Sequence, residues 1–288
     1  MAPSEAALRE AIVQRRHQPG ERVRLQIKLA RIWREQGDYA RAGLLLSFTL
    51  PAAERWCGTD SLEVAATCNE WGVVGKYAGS FDRSKNLYHR ALVILQHNYG
   101  HDHDSVASVC HNLGGLAHVR GEYREGEPWA ARSVRIRSRL HGPDHPTVAG
   151  DRTAWAALLD GCDRLDEAED ELQKALRVLR QANTGPSYDI AVILQNLAAI
   201  HHRRGAIQDA IRGYERALAA KKTVVGPAHP GLAPTLISLA SAYGQAGDSH
   251  QAIEHYTQAI QVLQPQTAAD HPHLLSAQRG LQRYLHQS

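Results

Sequence analysis

The sequence predicts an all-α fold in which one pair of helices recurs along nearly the whole chain. Two independent markers share a period of 42 residues, and every interval between their members is 42 or a multiple of it. The register therefore runs through the chain without insertion and indicates six repeats. One marker is a histidine in "GHDHDSVA", "GPDHPTVA", "GPAHPGLA" and "AADHPHLL", namely His103, His145, His229 and His271. The other is a glycine before a polar or aromatic pair, namely Gly37, Gly79, Gly121, Gly205 and Gly247.

Within each repeat, a large residue followed by a small one marks the predicted first helix. A small residue lets a neighbouring helix approach closely, while the large one fills the remaining space. These pairs are Leu29-Ala30, Trp71-Gly72, Leu113-Gly114, Trp155-Ala156, Leu197-Ala198 and Leu239-Ala240. The predicted second helix carries its own small residues, Ala42, Ser84, Gly126, Ala168, Ala210 and Ala252.

The segments that link one repeat to the next predict a helix end and a helix start. Gly142 can adopt a positive φ that ends a helix, and Pro146 suits the first turn of the next one. Between them, Asp144 and His145 can satisfy the unpaired amides of the new helix. We therefore interpret the recurring linker histidines as structural residues. Two positions depart from the pattern: Asp163 replaces the turn glycine of the fourth repeat, and Ser187 replaces the histidine of the fifth linker.

These motifs resemble the tetratricopeptide repeat (TPR), and the 42-residue period with its G-P-D-H-P-x-V-A linker is similar to the repeats of kinesin light chains. The resemblance covers roughly residues 23–274 and implies a right-handed α-solenoid of six helix-turn-helix repeats. We assign residues 1–22 to an N-terminal capping helix, 23–270 to the repeats and 271–288 to a C-terminal capping helix. Gln282 replaces the small residue of a first helix, so we expect no further repeat to pack there.

Composition narrows the class of protein. With 43% hydrophobic and 22% charged residues, the chain is ordinary for a soluble protein. No apolar run approaches the roughly 18 residues that span a bilayer, and the first residues lack the apolar stretch of a signal peptide, so we predict a cytoplasmic protein.

A formal charge of +3 and acidic stretches such as "DRLDEAEDE" predict no direct nucleic-acid binding. The four cysteines show no C-x-x-C spacing, and we predict no metal, disulfide or cofactor.

The TPR resemblance implies a concave groove, lined by the first helices, that holds a segment of a partner protein. Asn112 in "CHNLG" and Asn196 in "LQNLA" match an asparagine of the kinesin-light-chain motif, and an amide can pair with any peptide backbone. The alternative is an asparagine that is hydrogen-bonded within the array. The full predicted groove set is Lys28, Arg31, Arg34, Glu70, Lys76, His111, Asn112, His118, Asp160, Gln195, Asn196, His202 and Arg203.

The predicted groove is unevenly charged. Arg24, Lys28, Arg31 and Arg34 recur every three or four residues on the first helix of the first repeat, where an acidic segment of a partner can dock. The alternative is a solvated end helix. Glu70 in the second repeat departs from the basic pattern of carboxylate-clamp TPRs, which argues against a role in binding chaperone tails.

A catalytic alternative rests on Lys76, His118, Asp160 and His202, which are spaced by 42 and stack on successive repeats. A histidine beside a carboxylate can act as a general base or position a ligand. The sequence contains no H-E-x-x-H, G-x-S-x-G or glycine-rich phosphate loop. We therefore predict a cytoplasmic adaptor or scaffold that binds a protein or peptide, with a TPR-fold enzyme or small-ligand-binding protein as the alternative. The resemblance is also compatible with a homodimer that forms through the end helices or convex faces.

Overall fold

The protein is described here by a computed structural model that covers residues 4–15, 17–182, 187–265 and 267–285. The outermost residues of both predicted capping segments, 1–3 and 286–288, lie outside these ranges. The described residues contain no strand and form single helices at both ends, α1 (Glu5–Gln14) and α14 (Pro272–Leu285).

Six adjacent helix pairs lie between α1 and α14 in the described ranges, and each pair has its own short turn. The first three pairs are α2 (Pro19–Glu35) with α3 (Tyr39–Cys57), α4 (Leu62–Ala78) with α5 (Phe81–Tyr99), and α6 (Asp104–Arg120) with α7 (Tyr123–His141). The next three are α8 (Pro146–Gly161) with α9 (Leu165–Gln181), α10 (Tyr188–Arg203) with α11 (Ile207–Val225), and α12 (Ala233–Gln245) with α13 (Ser249–Leu263). A short 3-10 helix, Pro230–Leu232, precedes α12.

The small residues of the repeat lie where the two helices of a pair touch. A Cβ atom added at Gly72 would lie 2.5 Å from the ring of Tyr88, and one added at Gly126 would lie 2.6 Å from the Cβ of Ala117. Neither position can hold a larger residue without moving its neighbours. The predicted helix contacts are therefore confirmed at these positions.

All six turns between paired helices contain one residue with a positive φ. Gly37, Gly79, Gly121, Gly205 and Gly247 have φ values between 76° and 90°. In the fourth turn Asp163 has a φ of 65°, which aspartate tolerates better than most other residues with a Cβ. The departure from glycine at this turn therefore leaves the backbone pattern unchanged.

The linker histidines cap the helices that follow them, as the linker sequence predicts. In each case the ring Nδ1 accepts a hydrogen bond from the backbone N–H two residues further on, at 3.1 Å for His103 and 3.0 Å for His229. His145 and His271 make the same bond at 3.3 and 3.2 Å. In the fifth linker the Ser187 hydroxyl accepts from the N–H of Asp189 at 3.2 Å, so serine replaces histidine in the same role.

The last two linkers also contact the first two turns. His229 donates from Nε2 to the carbonyl oxygen of Glu35 at 2.8 Å, and Pro230 packs against Gly37. One repeat further on, the N–H of Ala268 donates to the carbonyl oxygen of Ala78 at 3.1 Å. Each contact joins a late linker to the turn of an early helix pair, the first through a histidine ring and the second through a backbone N–H. The array therefore completes a superhelical turn between the first and the sixth helix pair, and its ends touch.

Tyrosines of the first, second and fifth repeats lie near this contact. The rings of Tyr39 and Tyr77 stack with their centroids 5.5 Å apart. Tyr188, from the fifth pair, donates its hydroxyl to the carbonyl oxygen of Gly231 at 3.2 Å. Burial, with a smaller contribution from Tyr77, raises the pKa of Tyr188 above its usual value. Residues of the first, second and fifth repeats thus come together near this contact, where Tyr39 is buried and Tyr77 is 41% exposed.

We expect Gly37→Ala to loosen the contact between the ends, because an added Cβ would lie 2.8 Å from Pro230. Gly121→Ala is the matched control, since Gly121 has a similar φ of 76° but an added Cβ there meets no atom within 4 Å. Both variants should lose about 1 kcal/mol of stability through the strained backbone. Only Gly37→Ala should also increase the radius of gyration in small-angle X-ray scattering. Equal radii for the two variants would contradict the closed arrangement.

Candidate functional site

The concave surface carries an open groove and a smaller central cavity. The open groove has a volume of about 430 Å³ and lies across the N-terminal halves of α4 and α6. Its polar lining residues are Arg24, Glu63, Asn69, Tyr99, Ser105 and Ser108. The central cavity has a volume of about 200 Å³ and lies between α6, α8, α10, α12 and α14. Its polar lining residues are His118, Asp160, Gln195, Asn196, Ser238 and His273.

The two predicted asparagines lie in different parts of this surface. Asn112 donates from its amide to the side-chain oxygen of Asn69 at 2.9 Å, beside the open groove. Its carbonyl oxygen and second N–H make no hydrogen bond to the described residues. Asn196 lines the central cavity, and its amide likewise makes no hydrogen bond within the described ranges. Asn112 is therefore partly used by the array, whereas Asn196 is available to a ligand.

Two carboxylates of the second repeat pair with three of the four cations in the predicted basic stripe. Arg24 pairs with Glu63 at 2.7 Å. Glu70 accepts from Arg34 at 2.7 Å and from Arg31 at 3.3 Å, and only 3% of this glutamate is exposed. Lys28 is exposed and forms no ion pair with the described part of the chain. The stripe therefore keeps a net positive charge, which comes from the exposed Lys28 and from two arginines that share one glutamate.

The stacked residues of the catalytic alternative are near one another without forming an acid–base pair. Asp160 accepts a hydrogen bond from Arg203 at 2.9 Å, and no hydrogen bond in the described ranges joins Asp160 to His118 or His202. Burial lowers the pKa of His118, although the Asp160 carboxylate opposes that shift. Lys76 and His202, the other two residues of this stacked set, have aromatic neighbours. The Lys76 ammonium lies 4.6 Å from the ring centroid of Tyr77, and the ring centroids of His202 and Tyr214 are 6.1 Å apart.

His111 belongs to a buried ionic cluster rather than to an open site. Its Nδ1 donates to the Asp151 carboxylate at 2.9 Å, and Arg137 donates to the same oxygen at 2.8 Å. Asp151 is fully buried. Such a buried carboxylate needs both partners, because an uncompensated charge in the interior is costly.

Two repeats further on, the same three positions form a cluster that lacks a carboxylate. Gln195, Lys221 and Thr235 are 84 residues after His111, Arg137 and Asp151. Lys221 is 2% exposed and donates to the side-chain oxygens of Gln195 and, at 2.9 Å, of Thr235. Burial lowers its pKa to about 7. The sequence interpretation missed Lys221, although the arginine at the equivalent position was a usable signal.

His273 is a second residue that the sequence interpretation missed. It lies on α14 and lines the central cavity together with His118. Burial, followed by the nearby His271 and His118, lowers its pKa to about 4, so its ring is neutral at pH 7. No repeat marker identifies His273, because its position beside His118 depends on the closed arrangement.

The described ranges contain no group of three or more histidine, cysteine or acidic residues that is arranged to hold a metal ion. They also contain no helix whose length and hydropathy suffice to cross a membrane.

Comparison with known proteins identifies the repeat. The family model described as tetratricopeptide repeat matches residues 105–181, 152–223 and 189–264, which together span more than half of the chain. The chain belongs to the tetratricopeptide repeat family. Folds of this family generally mediate protein–protein interaction, which agrees with the predicted class of function. No functionally curated protein matches the sequence.

Solved TPR structures share the architecture at low sequence identity. BtubC (BKLC) from P. vanneervenii is 21% identical with a TM-score of 0.56, and the match covers 78% of this chain and 90% of that one. A second similar structure contains the TPR-like repeats of a Podosopora anserina protein that is classed with kinesin light chains, and these repeats are nearly identical to one another. It is 18% identical to this chain with a TM-score of 0.56, and the match covers 72% of this chain and 97% of that one. Cut9-Hcn1, an APC/C hetero-tetramer, gives a TM-score of 0.63 at 12% identity over 98% of this chain and 46% of that one. These similarities confirm the predicted fold.

The two equivalent buried clusters predict opposite effects of the same substitution. We expect Lys221→Met to raise the free energy of unfolding at pH 7 by about 2 kcal/mol, because it removes a buried amine that lacks an acidic partner. Arg137→Met is the matched control and should lower it by about 3 kcal/mol, because it leaves Asp151 buried with less compensation.

The pH dependence of stability provides the second readout for Lys221. Its pKa is about 7 in the folded protein and 10.5 for an ordinary lysine, so between these values the unfolded state binds more protons. Stability should therefore rise from pH 7 to 9 in the unmodified protein and change less in Lys221→Met, as measured by urea unfolding. If Lys221→Met destabilises the protein as much as Arg137→Met does, Lys221 is charged in the folded protein and its charge is compensated by its neighbours.

Proposed function

We propose that this TPR protein is an adaptor that holds a segment of a partner protein in the open groove across α4 and α6. The observation that carries the proposal is the pair of side-chain amides beside this groove. After Asn112 donates to Asn69, the pair still offers the carbonyl oxygen of Asn112 and the N–H groups of Asn69. One acceptor and one donor side by side match the backbone of an extended peptide whatever its side chains are.

The remaining lining of the open groove supports recognition of a peptide backbone more than recognition of charge. Ser105 contributes a hydroxyl group, whereas the Ser108 hydroxyl already donates to the carbonyl oxygen of Asp104 and accepts from Arg137. Leu62, Leu95 and Val109 form the apolar base of the groove. The charged residues Arg24 and Glu63 already pair with each other at one end. Within this groove an acidic segment therefore meets no unpaired cation, and a moderately apolar segment with free backbone groups fits better.

Contact between the ends of the array restricts where the segment can lie. In the far half of the concave surface α14 lines the central cavity, and the closing contacts join the last two linkers to the turns after α2 and α4. A partner segment that threads the whole superhelix would have to separate these contacts. We therefore place the segment across the first three repeats.

A second candidate function is the binding of a small neutral ligand in the central cavity. The observation that favours it is the amide of Asn196, which faces the cavity without a hydrogen-bond partner in the described ranges. His118 and His273 line the same cavity, and burial favours the neutral form of both rings. These groups suit a small polar molecule without net charge. The catalytic form of this alternative has weaker support, because Asp160 is paired with Arg203.

The adaptor proposal predicts that a bulky side chain in the open groove blocks peptide binding. Ala66 is exposed and lines this groove, so Ala66→Trp fills it without disturbing the core. Val93→Trp is the control, since Val93 on α5 is 67% exposed and lies outside the groove. Peptides selected from a displayed library of random 12-residue sequences should bind Ala66→Trp at least about tenfold more weakly and the control unchanged.

Equal binding of the selected peptides to the two variants would refute the open groove as the site. The small-ligand candidate predicts the reverse pattern: small neutral fragments detected by NMR should bind Ala66→Trp normally and lose binding to Asn196→Leu.

A further inference from the structure

An exposed apolar surface lies at the first repeat, on the opposite side of the array from the concave groove. On α3, the side chains of Leu44, Phe48 and Trp56 are 61%, 69% and 62% exposed. Together with Ile12 and Val13 of α1 they form a groove of about 550 Å³ over Trp33, and it continues past Phe48 towards Trp56. We call this surface the apolar groove. Large side chains of this kind are rarely left exposed in a contiguous patch unless something binds to them.

The other repeats provide an internal comparison for this surface. The position of Leu44 is occupied in the later second helices by Asn86, Pro128, Asp170, Arg212 and Glu254. The position of Phe48 is occupied by Arg90, Arg132, Lys174, Arg216 and Gln258. Packing of the repeat therefore does not require an apolar residue at either position. The apolar groove is a property of the first repeat alone, and the fold does not explain it.

The charge around the apolar groove is positive. Its charged lining residues are all arginines, namely Arg9, Arg22 and Arg41. Arg9 and Arg41 lie over the ring of Trp33, at 5.5 and 4.4 Å from its centroid, and share the carboxylate of Glu5. Arg41 also pairs with Asp38 at 3.3 Å. Arg22 forms no ion pair with the described residues, and neither does Arg55, which lies 4.9 Å from the ring centroid of Trp56. A bound partner would thus meet more positive than negative charge at the rim.

We propose that the apolar groove binds an amphipathic helix of a partner protein, with aspartate or glutamate residues flanking the helix's apolar face. Leu44, Phe48 and Ala52 recur every four residues along α3, and a helix in the channel between α1 and α3 can place its own apolar residues between them. Acidic flanks would meet Arg9, Arg22 and Arg41. A second copy of this chain fits less well, because a two-fold contact would bring the same arginines together.

The test uses the full chain and a matched set of 18-residue helical peptides labelled with fluorescein. All peptides carry the same leucine and phenylalanine stripe, and the flanking positions are glutamate, glutamine or lysine. Leu44→Asn with Phe48→Arg gives the first repeat the residues that the second repeat carries at Asn86 and Arg90. Val93→Ser removes an equally exposed apolar side chain elsewhere and is the control. Fluorescence anisotropy measures the binding, and circular dichroism confirms equal helicity.

We expect the glutamate-flanked peptide to bind most tightly, and to bind at least about tenfold more weakly to Leu44→Asn/Phe48→Arg than to the control. Arg9→Gln with Arg22→Gln should weaken the glutamate-flanked peptide more than the glutamine-flanked one. The proposal is overturned if the three peptides bind alike, if none binds, or if Leu44→Asn/Phe48→Arg has no effect. It is also overturned if sedimentation shows a dimer that only this double variant abolishes, or if the apolar groove binds anionic phosphatidylglycerol vesicles in preference to the peptide.

Discussion

The close contact of two helices at a small residue, repeated every 42 residues, is the constraint on which the rest of this structure depends. Gly72 beneath Tyr88 and Gly126 beneath Ala117 and Leu158 allow the helices to approach closely. Each turn between paired helices has one residue with a positive φ, and each linker between repeats has a capping histidine or serine. Every step of the array therefore has nearly the same geometry. Because a constant step generates a superhelix, the sixth pair is carried back over the first, where His229 meets Glu35.

This closure determines which parts of the surface are available to partners. The far half of the concave face becomes a small cavity, whereas the first three repeats keep an open groove. The repeats differ from one another at single positions whose residue type changes while the backbone position stays the same. Arg137 and Lys221 occupy the same position, yet only the arginine has a carboxylate partner. Leu44 and Phe48 occupy two positions at which the other five repeats carry polar residues in nine of ten cases. Candidate sites therefore lie where the repeats differ from one another.

The sequence was sufficient to predict whatever recurs with the repeat: the helix pairs, the turns, the capping role of His145 and the equivalence of Asp163 with the turn glycines. It also placed Asn112 and Asn196 on first helices. It did not predict the pairing of Arg31 and Arg34 with Glu70, since this depends on the offset between neighbouring helices. Nor did it predict His273 beside His118 or the meeting of Tyr39, Tyr77 and Tyr188. These contacts join residues that are far apart in sequence, and they depend on the accumulated twist of the whole array.

The most direct test of the closed superhelix is a distance measured across the contact between its ends. Gln36 and Ala228 are exposed and lie beside Glu35 and His229, which are joined by a 2.8 Å hydrogen bond. Nitroxide labels at Gln36→Cys and Ala228→Cys, with Cys57 and Cys162 replaced by serine, report this distance by electron–electron double resonance. The closed superhelix predicts a single short and narrow distance distribution. A broad distribution centred at long distances would show an open array and would contradict the division of the concave face into an open groove and a central cavity.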